Sequence, residues 1–192
     1  MNSGLVSTRY ATALLEYAIS NSEQEAVYEK MKLLSELFLS FPKLQKVLQK
    51  ISLSNRDKKS IITTACGGDL PSSLDKMTDL ILKNERANAL QFIVLQYLDL
   101  YRNKFHILTG RLTSAVILGE EERERFTRRI EKIVGQKIEM ETTEDPSIIG
   151  GFILQLGDYR WDSSISGELT RIKRRWLHAN GSENVRNMEE QD

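Results

Sequence analysis

The chain changes its hydrophobic period once, near residue 105, and that change divides everything else. Up to about Asn103, apolar side chains recur every three or four residues, the spacing that gathers them on one side of a helix. From Phe105 to Leu118 the spacing drops to two, the period of a strand. A first helix is expected over about residues 5–20, with one stripe of Val6, Tyr10, Ala13, Leu14 and Tyr17 and a narrower one of Ala11, Leu15, Ala18 and Ile19. A helix apolar on two sides is either deeply buried or meets its own core on one side and a partner on the other. A second helix, from about Glu23 to Phe41, carries a seam of Val27, Met31, Leu34, Phe38 and Phe41. A short third follows Pro42 with Leu44, Val47, Leu48 and Ile51, and a fourth, capped by Ser54, carries Ile61, Ile62 and Ala65 and stops at Gly67-Gly68. A fifth starts at Pro71-Ser72-Ser73 with Leu74, Met77, Leu80 and Ile81, and a long sixth runs to about Asn103. Short loops make successive helices antiparallel neighbours, so a bundle is expected.

Beyond Phe105 the reading is a strand with Ile107, Thr109, Arg111, Thr113, Ala115 and Ile117 in alternation and an irregularity at Gly110. A helix opens at Gly119 with Phe126, Ile130, Ile133 and Val134 as its buried face, and Lys137 to Thr143 alternates again with Ile138, Met140 and Thr142 on one side. Gly150-Gly151 opens a further strand, Phe152 to Leu156, and Gly157-Asp158 turns it into a return strand bearing Tyr159 and Trp161. Asp162 or Ser163 is expected to cap a last helix whose stripe, Ile165, Leu169, Ile172 and Trp176, closes the layer. The expected class is α+β: an N-terminal six-helix bundle over 1–104, a small C-terminal β-sheet/helix domain over 105–178, and a disordered polar tail over 179–192.

Reactive chemistry is hard to find. His106 and His178 stand far apart without further ligands at metal spacing, so no metal is expected. Cys66 reads as a small buried hydrophobe, and neither Gly-Gly pair is followed by the Lys-Ser or Lys-Thr of a phosphate loop, so no cofactor is expected. Glu120 to Glu124 reads as a solvated helix start. The formal net charge is zero, from 27 Lys and Arg against 27 Asp and Glu, which argues against a nucleic-acid partner. A KH-type RNA module needs a Gly-X-X-Gly loop between helices, whereas Gly150-Gly151 enters a strand. The basic run Arg171, Lys173, Arg174 and Arg175 reads as a solvated face or as an electrostatic contact for an acidic helical partner. Met1 to Val6 does not look like the start of a signal peptide, and no stretch approaches the roughly 20 apolar residues of a membrane span.

Three marks carry a family resemblance. The first is Ser7-Thr8-Arg9-Tyr10-Ala11-Thr12-Ala13-Leu14, the second Leu82-Lys83-Asn84-Glu85-Arg86, and the third Ile148-Ile149-Gly150-Gly151-Phe152 through Gly157-Asp158 to Asp162-Ser163-Ser164-Ile165 and Leu169. In their order and spacing the chain, from residue 5 to about 177, resembles the δ subunits of bacterial F-type ATP synthases and the related mitochondrial oligomycin-sensitivity-conferring proteins. Between Arg9 and Tyr10 there is one residue fewer than in the family pattern, Ser163 stands where glycine is common, and Tyr159 and Trp161 fill positions more often aliphatic. Arg174-Arg175 and the polar tail are not part of the pattern.

The resemblance implies a non-catalytic stator subunit with no small-molecule substrate. It would tie the catalytic head to the peripheral stalk on the cytoplasmic face of a bacterial cell membrane, touching the membrane only through the complex. It implies that the helical domain binds the N-terminal helix of an α subunit in a groove between the first and fifth helices, and that the C-terminal domain meets the b-subunit stalk. Carried over by residue, Tyr10, Ala13, Leu14 and Tyr17 form one wall of the groove and Met77, Leu80 and Ile81 the other. Arg9, Asn84, Arg86, Gly150, Gly151, Gly157, Asp158, Asp162 and Leu169 are implied to be structural marks. The alternative is a free-standing helical adaptor or regulatory protein that binds another amphipathic helix.

Overall fold

The computed structural model describes the backbone of residues 3–50 and 52–189, with side-chain surroundings for 4–50 and 52–178. Ile51, expected on the third helix, lies outside the described residues. The class is α+β, and the chain divides into two compact units, Met1–Phe105 and His106–Asp192. The first contains α1 (Ser3–Ser20), α2 (Gln24–Ser40), α3 (Lys43–Leu48), α4 (Asn55–Ala65), α5 (Ser72–Lys83), a 3₁₀ turn (Ala87–Ala89) and α6 (Leu90–Phe105).

Helix α1 settles which of its two stripes faces inward. Ser7, Ala11, Leu14, Leu15 and Ala18 are buried, chiefly against α6, whereas Ala13 and Tyr17 are exposed and Tyr10 is half-buried. The core is Ala11, Leu15 and Ala18 of the narrower stripe plus Leu14, while Ile19, expected in that stripe, is 38% exposed; the alanines let the α6 backbone approach closely. Helix α2 buries Val27, Met31, Leu34 and Phe38 at spacings of four and three, but Phe41, expected to extend that seam, is the exposed C-cap residue. Burying each such side chain contributes on the order of 1.5–3 kcal/mol. Tyr28 stacks on Tyr101 with ring centroids 3.9 Å apart, fixing α2 to α6 near the end of the bundle.

The second unit contains β1 (Ile107–Ser114), α7 (Glu120–Val134), β2 (Lys137–Glu144), a 3₁₀ turn (Pro146–Ile148), β3 (Phe152–Leu156), β4 (Tyr159–Asp162) and α8 (Ile165–Glu189). The sheet order is β2-β1-β3-β4, with β1 parallel to β2 and antiparallel to β3. One face carries Leu112, Ile138, Leu154 and Leu156 and is covered by Phe126 and Ile130 of α7. The Phe126 ring meets Phe152 edge-on at 5.1 Å. The opposite face of this mixed sheet, with Thr109, Arg111, Glu141 and Gln155, is polar and exposed, as a sheet covered on one side only requires.

Four expectations are corrected here. Gly110 marks no irregularity: it pairs in continuous register with Met140 and Leu156. A Cβ at Gly110 would lie 2.6 Å from a Leu156 methyl, so the glycine makes room for its large neighbours. Ile133 is 80% exposed and Val134 is also exposed, because the inward line of α7 runs through Phe126 and Ile130 and ends there. The cap of α8 is Ser164, whose Oγ accepts from the Gly167 N–H at 3.0 Å, rather than Asp162 or Ser163. Asp162 stands behind it, accepting from the Ser164 N–H at 3.0 Å. The fourth concerns the tail expected to be disordered over 179–192: α8 continues to Glu189, and only residues 190–192 lie outside the described residues. No proline follows Leu177, and Gly181 alone costs about 1 kcal/mol relative to alanine, too little to stop a helix already nucleated.

Candidate functional site

The residues expected to form a groove fall on facing sides of α1 and α5, and three hydrogen bonds set their register. The Asn21 side-chain amide donates to Ser73 Oγ at 3.1 Å, Lys76 Nζ to the Tyr17 hydroxyl at 2.9 Å, and the Asn84 amide to the Tyr10 hydroxyl at 2.9 Å. The helices are therefore antiparallel, and this register puts Ala13 level with Leu80. Arg86 lies over the Tyr10 ring, 5.8 Å from its centroid, and Lys76 over the Tyr17 ring at 5.5 Å. The Lys76 hydrogen bond holds the Tyr17 phenol below its ordinary pKa and the Lys76 ammonium above its own. Tyr10 and Tyr17 are thus pinned by cations and amides at either end of a shallow apolar strip.

The seven expected groove residues separate into floor and rim. Leu14, Met77 and Ile81 are buried and belong to the core. Leu80 is 46% exposed, Tyr17 38%, and Ala13 is exposed between them. Asn84 and Arg86 act at the Tyr10 end, and Arg9 is exposed. This arrangement can accept an apolar stripe of a partner helix over Ala13 and Leu80. It offers no convergent acid, base or nucleophile.

What fixes the start of α5 was not visible in the sequence. Helix α5 begins after Pro71 with no local side-chain cap. Its orphan N–H groups are taken by Glu23, from the α1–α2 connection: Ser72 N donates to Oε1 at 3.2 Å and Ser73 N to Oε2 at 2.7 Å. Nothing local signals a cap that comes from 50 residues away. Hydrogen bonds from the Ser73 side chain and backbone lower the Glu23 carboxyl pKa. A depressed folded-state pKa means that the stabilisation is complete above the unfolded value and is lost as pH falls through the folded one. Thermal melts followed by helical circular dichroism should show the wild type losing stability as pH falls through the acid range, while Glu23→Gln lacks that part of the loss. Parallel pH profiles would remove the cap from the account.

In the second unit the family marks build a compact corner. Gly151 has φ +76°, and a Cβ there would lie 2.1 Å from the Ser163 carbonyl oxygen. Ile165 packs on Gly150, and the Ile165 N–H donates to the Gly150 carbonyl at 3.0 Å. Gly157, at φ +54°, makes the β3–β4 turn with Asp158. Sequence reasoning missed Ile149, which has φ 68° and ψ −41° while Gly150 N–H donates to the Ile148 carbonyl at 2.8 Å. That is a γ-turn of the strained hand, centred on a β-branched residue beside two glycines. Holding it costs roughly 1–3 kcal/mol.

Leu169 was expected to help close the layer, together with the rest of its stripe, and this is a further correction. Ile165, Leu169, Ile172 and Trp176 are 49%, 53%, 52% and 63% exposed. Only the start of α8 packs back, on the Pro146–Ile148 turn, because Ser164 launches the helix from the end of edge strand β4. Among the described residues no group of His, Cys, Asp and Glu is placed to hold a metal, and no helix is long and apolar enough to cross a membrane. Cys66 is buried, and burial pushes its thiol up to about 11.

Comparison with known proteins agrees over nearly the whole chain. The family model for the ATP synthase delta (OSCP) subunit matches residues 6–175. The ATP synthase subunit delta of Bacteroides thetaiotaomicron is 39% identical over 182 residues, covering 94% of this chain and 98% of the relative. That of Prochlorococcus marinus (strain MIT 9301) is 34% identical over 168 residues, covering 87% and 93%. Among solved structures, a chain of the Toxoplasma gondii mitochondrial ATP synthase hexamer has the same fold, with a TM-score of 0.59 at 15% identity over 89% of this chain and 97% of that one.

Proposed function

The chain belongs to the ATP synthase delta (OSCP) subunit family, and from that premise we propose that it is a non-catalytic stator subunit, holding the catalytic head to the peripheral stalk so that the head does not turn with the central shaft. The observation that carries this is the strip between α1 and α5, where Ala13 and Leu80 stand exposed between two pinned tyrosines. A strip of that shape fits the apolar stripe of an amphipathic helix, here the N-terminal helix of an α subunit. The second unit, with α8 uncovered, takes the b subunits of the stalk. The chain then sits at the cytoplasmic face of the cell membrane, held there by the rest of the complex.

A stator transmits torque and does no chemistry, in keeping with a strip between α1 and α5 that offers no convergent acid, base or nucleophile. The test is recovery of the complex. A tagged chain, purified from its own membranes in mild detergent, should bring down the α and b subunits, and its depletion should abolish proton-driven ATP synthesis while ATP hydrolysis by the released head continues. Recovery of a different helical protein in place of those subunits would make the chain a free-standing adaptor and end the stator reading.

A further inference from the structure

We propose that Lys76 and Lys83, on the α5 rim of the strip, select the partner helix by its charge: they take two carboxylates set two turns apart on one flank of its apolar stripe, and Tyr17 holds Lys76 in place for this. The inference rests on the reading that an amphipathic helix of the α subunit lies over Ala13 and Leu80, and it states what that helix must carry.

The two rims of the strip share one spacing but differ in charge. On α5, Lys76 stands four residues before Leu80 and Lys83 three after it, so both flank Leu80 on the exposed side of the helix. On α1, Arg9 stands four residues before Ala13 and Glu16 three after it, and both are exposed. The α1 rim therefore cancels, whereas the α5 rim is positive at both places. The acids of α5 do not offset it. Asp75 and Asp79 are turned to α4, where Lys59 Nζ lies 2.8 Å from the first and 2.9 Å from the second. Glu23 acts on Lys76 from a distance, but its two oxygens accept from the Ser72 and Ser73 N–H groups. Lys76 and Lys83 are seven residues apart, about 10.5 Å along the helix at roughly 1.5 Å per residue. A helix laid along the strip returns to the same side at that interval. Carboxylates seven residues apart then meet both lysines at once, whereas carboxylates on its other flank meet neither.

Tyr17 adds a second observation. A surface lysine is ordinarily mobile, and ordering its long side chain on binding costs rotamer entropy. Here the chain already holds Lys76. Its Nζ donates to the Tyr17 hydroxyl at 2.9 Å and lies 5.5 Å from the ring centroid. An ammonium has three N–H donors and the phenol takes one, so a carboxylate can be bound without giving up the anchor. A group ordered before the partner arrives loses less when it binds. Tyr17 is thus a positioning residue, acting on the partner through Lys76.

The full chain is titrated calorimetrically with a peptide of the α-subunit N-terminus from the same synthase. A second peptide has glutamine and asparagine in place of its glutamates and aspartates. The acidic peptide should bind less tightly as salt rises, and the neutral one about tenfold more weakly with little salt dependence. Lys76→Gln should weaken binding of the acidic peptide about fivefold, and Lys76→Glu with Lys83→Glu at least about twentyfold. Melting temperatures should stay within about 2 °C of the wild type, since the charges are exposed. Tyr17→Phe should weaken binding about threefold in the wild-type background and not at all beside Lys76→Gln, the coupling that marks a positioning role. An equal loss in both backgrounds overturns that role. Unchanged binding of the acidic peptide by the double glutamate variant, or a neutral peptide bound as tightly as the acidic one, overturns the charge selection and leaves the strip standing as the peptide's site. Absence of binding to the wild type overturns the strip and this inference together.

Discussion

Gly151→Ala is expected to unfold the C-terminal unit under conditions in which the helical unit stays intact. The new methyl carbon would lie 2.1 Å from the Ser163 carbonyl oxygen, and backbone cannot step aside as a flexible side chain can. The φ of +76° adds its own penalty for any residue with a Cβ. Positive φ costs roughly 1–3 kcal/mol and overpacking a similar amount, so the combined loss is about 3–5 kcal/mol, a large part of what a small domain has. The corner also carries the Ser163 N–H to Phe152 carbonyl bond at 2.9 Å, so moving it frees β3 from the start of α8. Both tryptophans, Trp161 and Trp176, lie in this unit, so denaturant unfolding followed by tryptophan fluorescence reads it separately from the helical bundle. An unfolding free energy within about 1 kcal/mol of the wild type's would show that the close approach is not needed.

The second large effect is on recognition. Leu80→Asp, and Ala13→Asp opposite it, are expected to weaken binding of an α-subunit N-terminal peptide roughly ten- to hundredfold, equivalent to about 1.5–3 kcal/mol for a carboxylate buried without a partner. The helical circular dichroism and the melting temperature should hardly change, because Leu80 is already 46% exposed and Ala13 lies on the surface. Ile81→Ala makes the contrast. Ile81 is 2% exposed, so the same one-residue step moves into the core and should cost about 2–5 kcal/mol of stability. If the peptide binds both aspartate variants as it binds the wild type, the strip between α1 and α5 is not its site.

Much of the fold was legible because it rests on local regularities. The four-three seam of Val27, Met31, Leu34 and Phe38 dictates which face of α2 turns inward, and the Gly157-Asp158 turn joins two short strands as its chemistry requires. Periodicity says that a helix has an apolar face; it does not say whether that face is covered by the same chain. Ile165, Leu169, Ile172 and Trp176 therefore read as a closing helix, although the fold leaves them bare. By the same limit, period alone does not choose between the two stripes of α1, and it is α6 that takes Leu15 and Ala18 and leaves Ala13 and Tyr17. Long-range polar ties have no period at all. Glu23 capping α5 and Asn84 reaching Tyr10 link residues 50 and 74 apart, and only the packed bundle brings them together. Ile149 was hidden for another reason: two adjacent glycines are the natural candidates for positive φ, and one of the positions that needs it went to an isoleucine.

The division at Phe105 also has a consequence in time. Every residue of the strip between α1 and α5, from Tyr10 to Ile81, lies in the part of the chain made first. The sheet, by contrast, places β1 between β2 and β3, so its central strand waits for the segments made after it. At roughly 5–20 residues per second, the helical unit has been synthesised about 4–17 s before the last of the chain. On the proposed function, the surface for the catalytic head is finished while the surface for the stalk is still being translated, and the order of synthesis becomes an order of assembly.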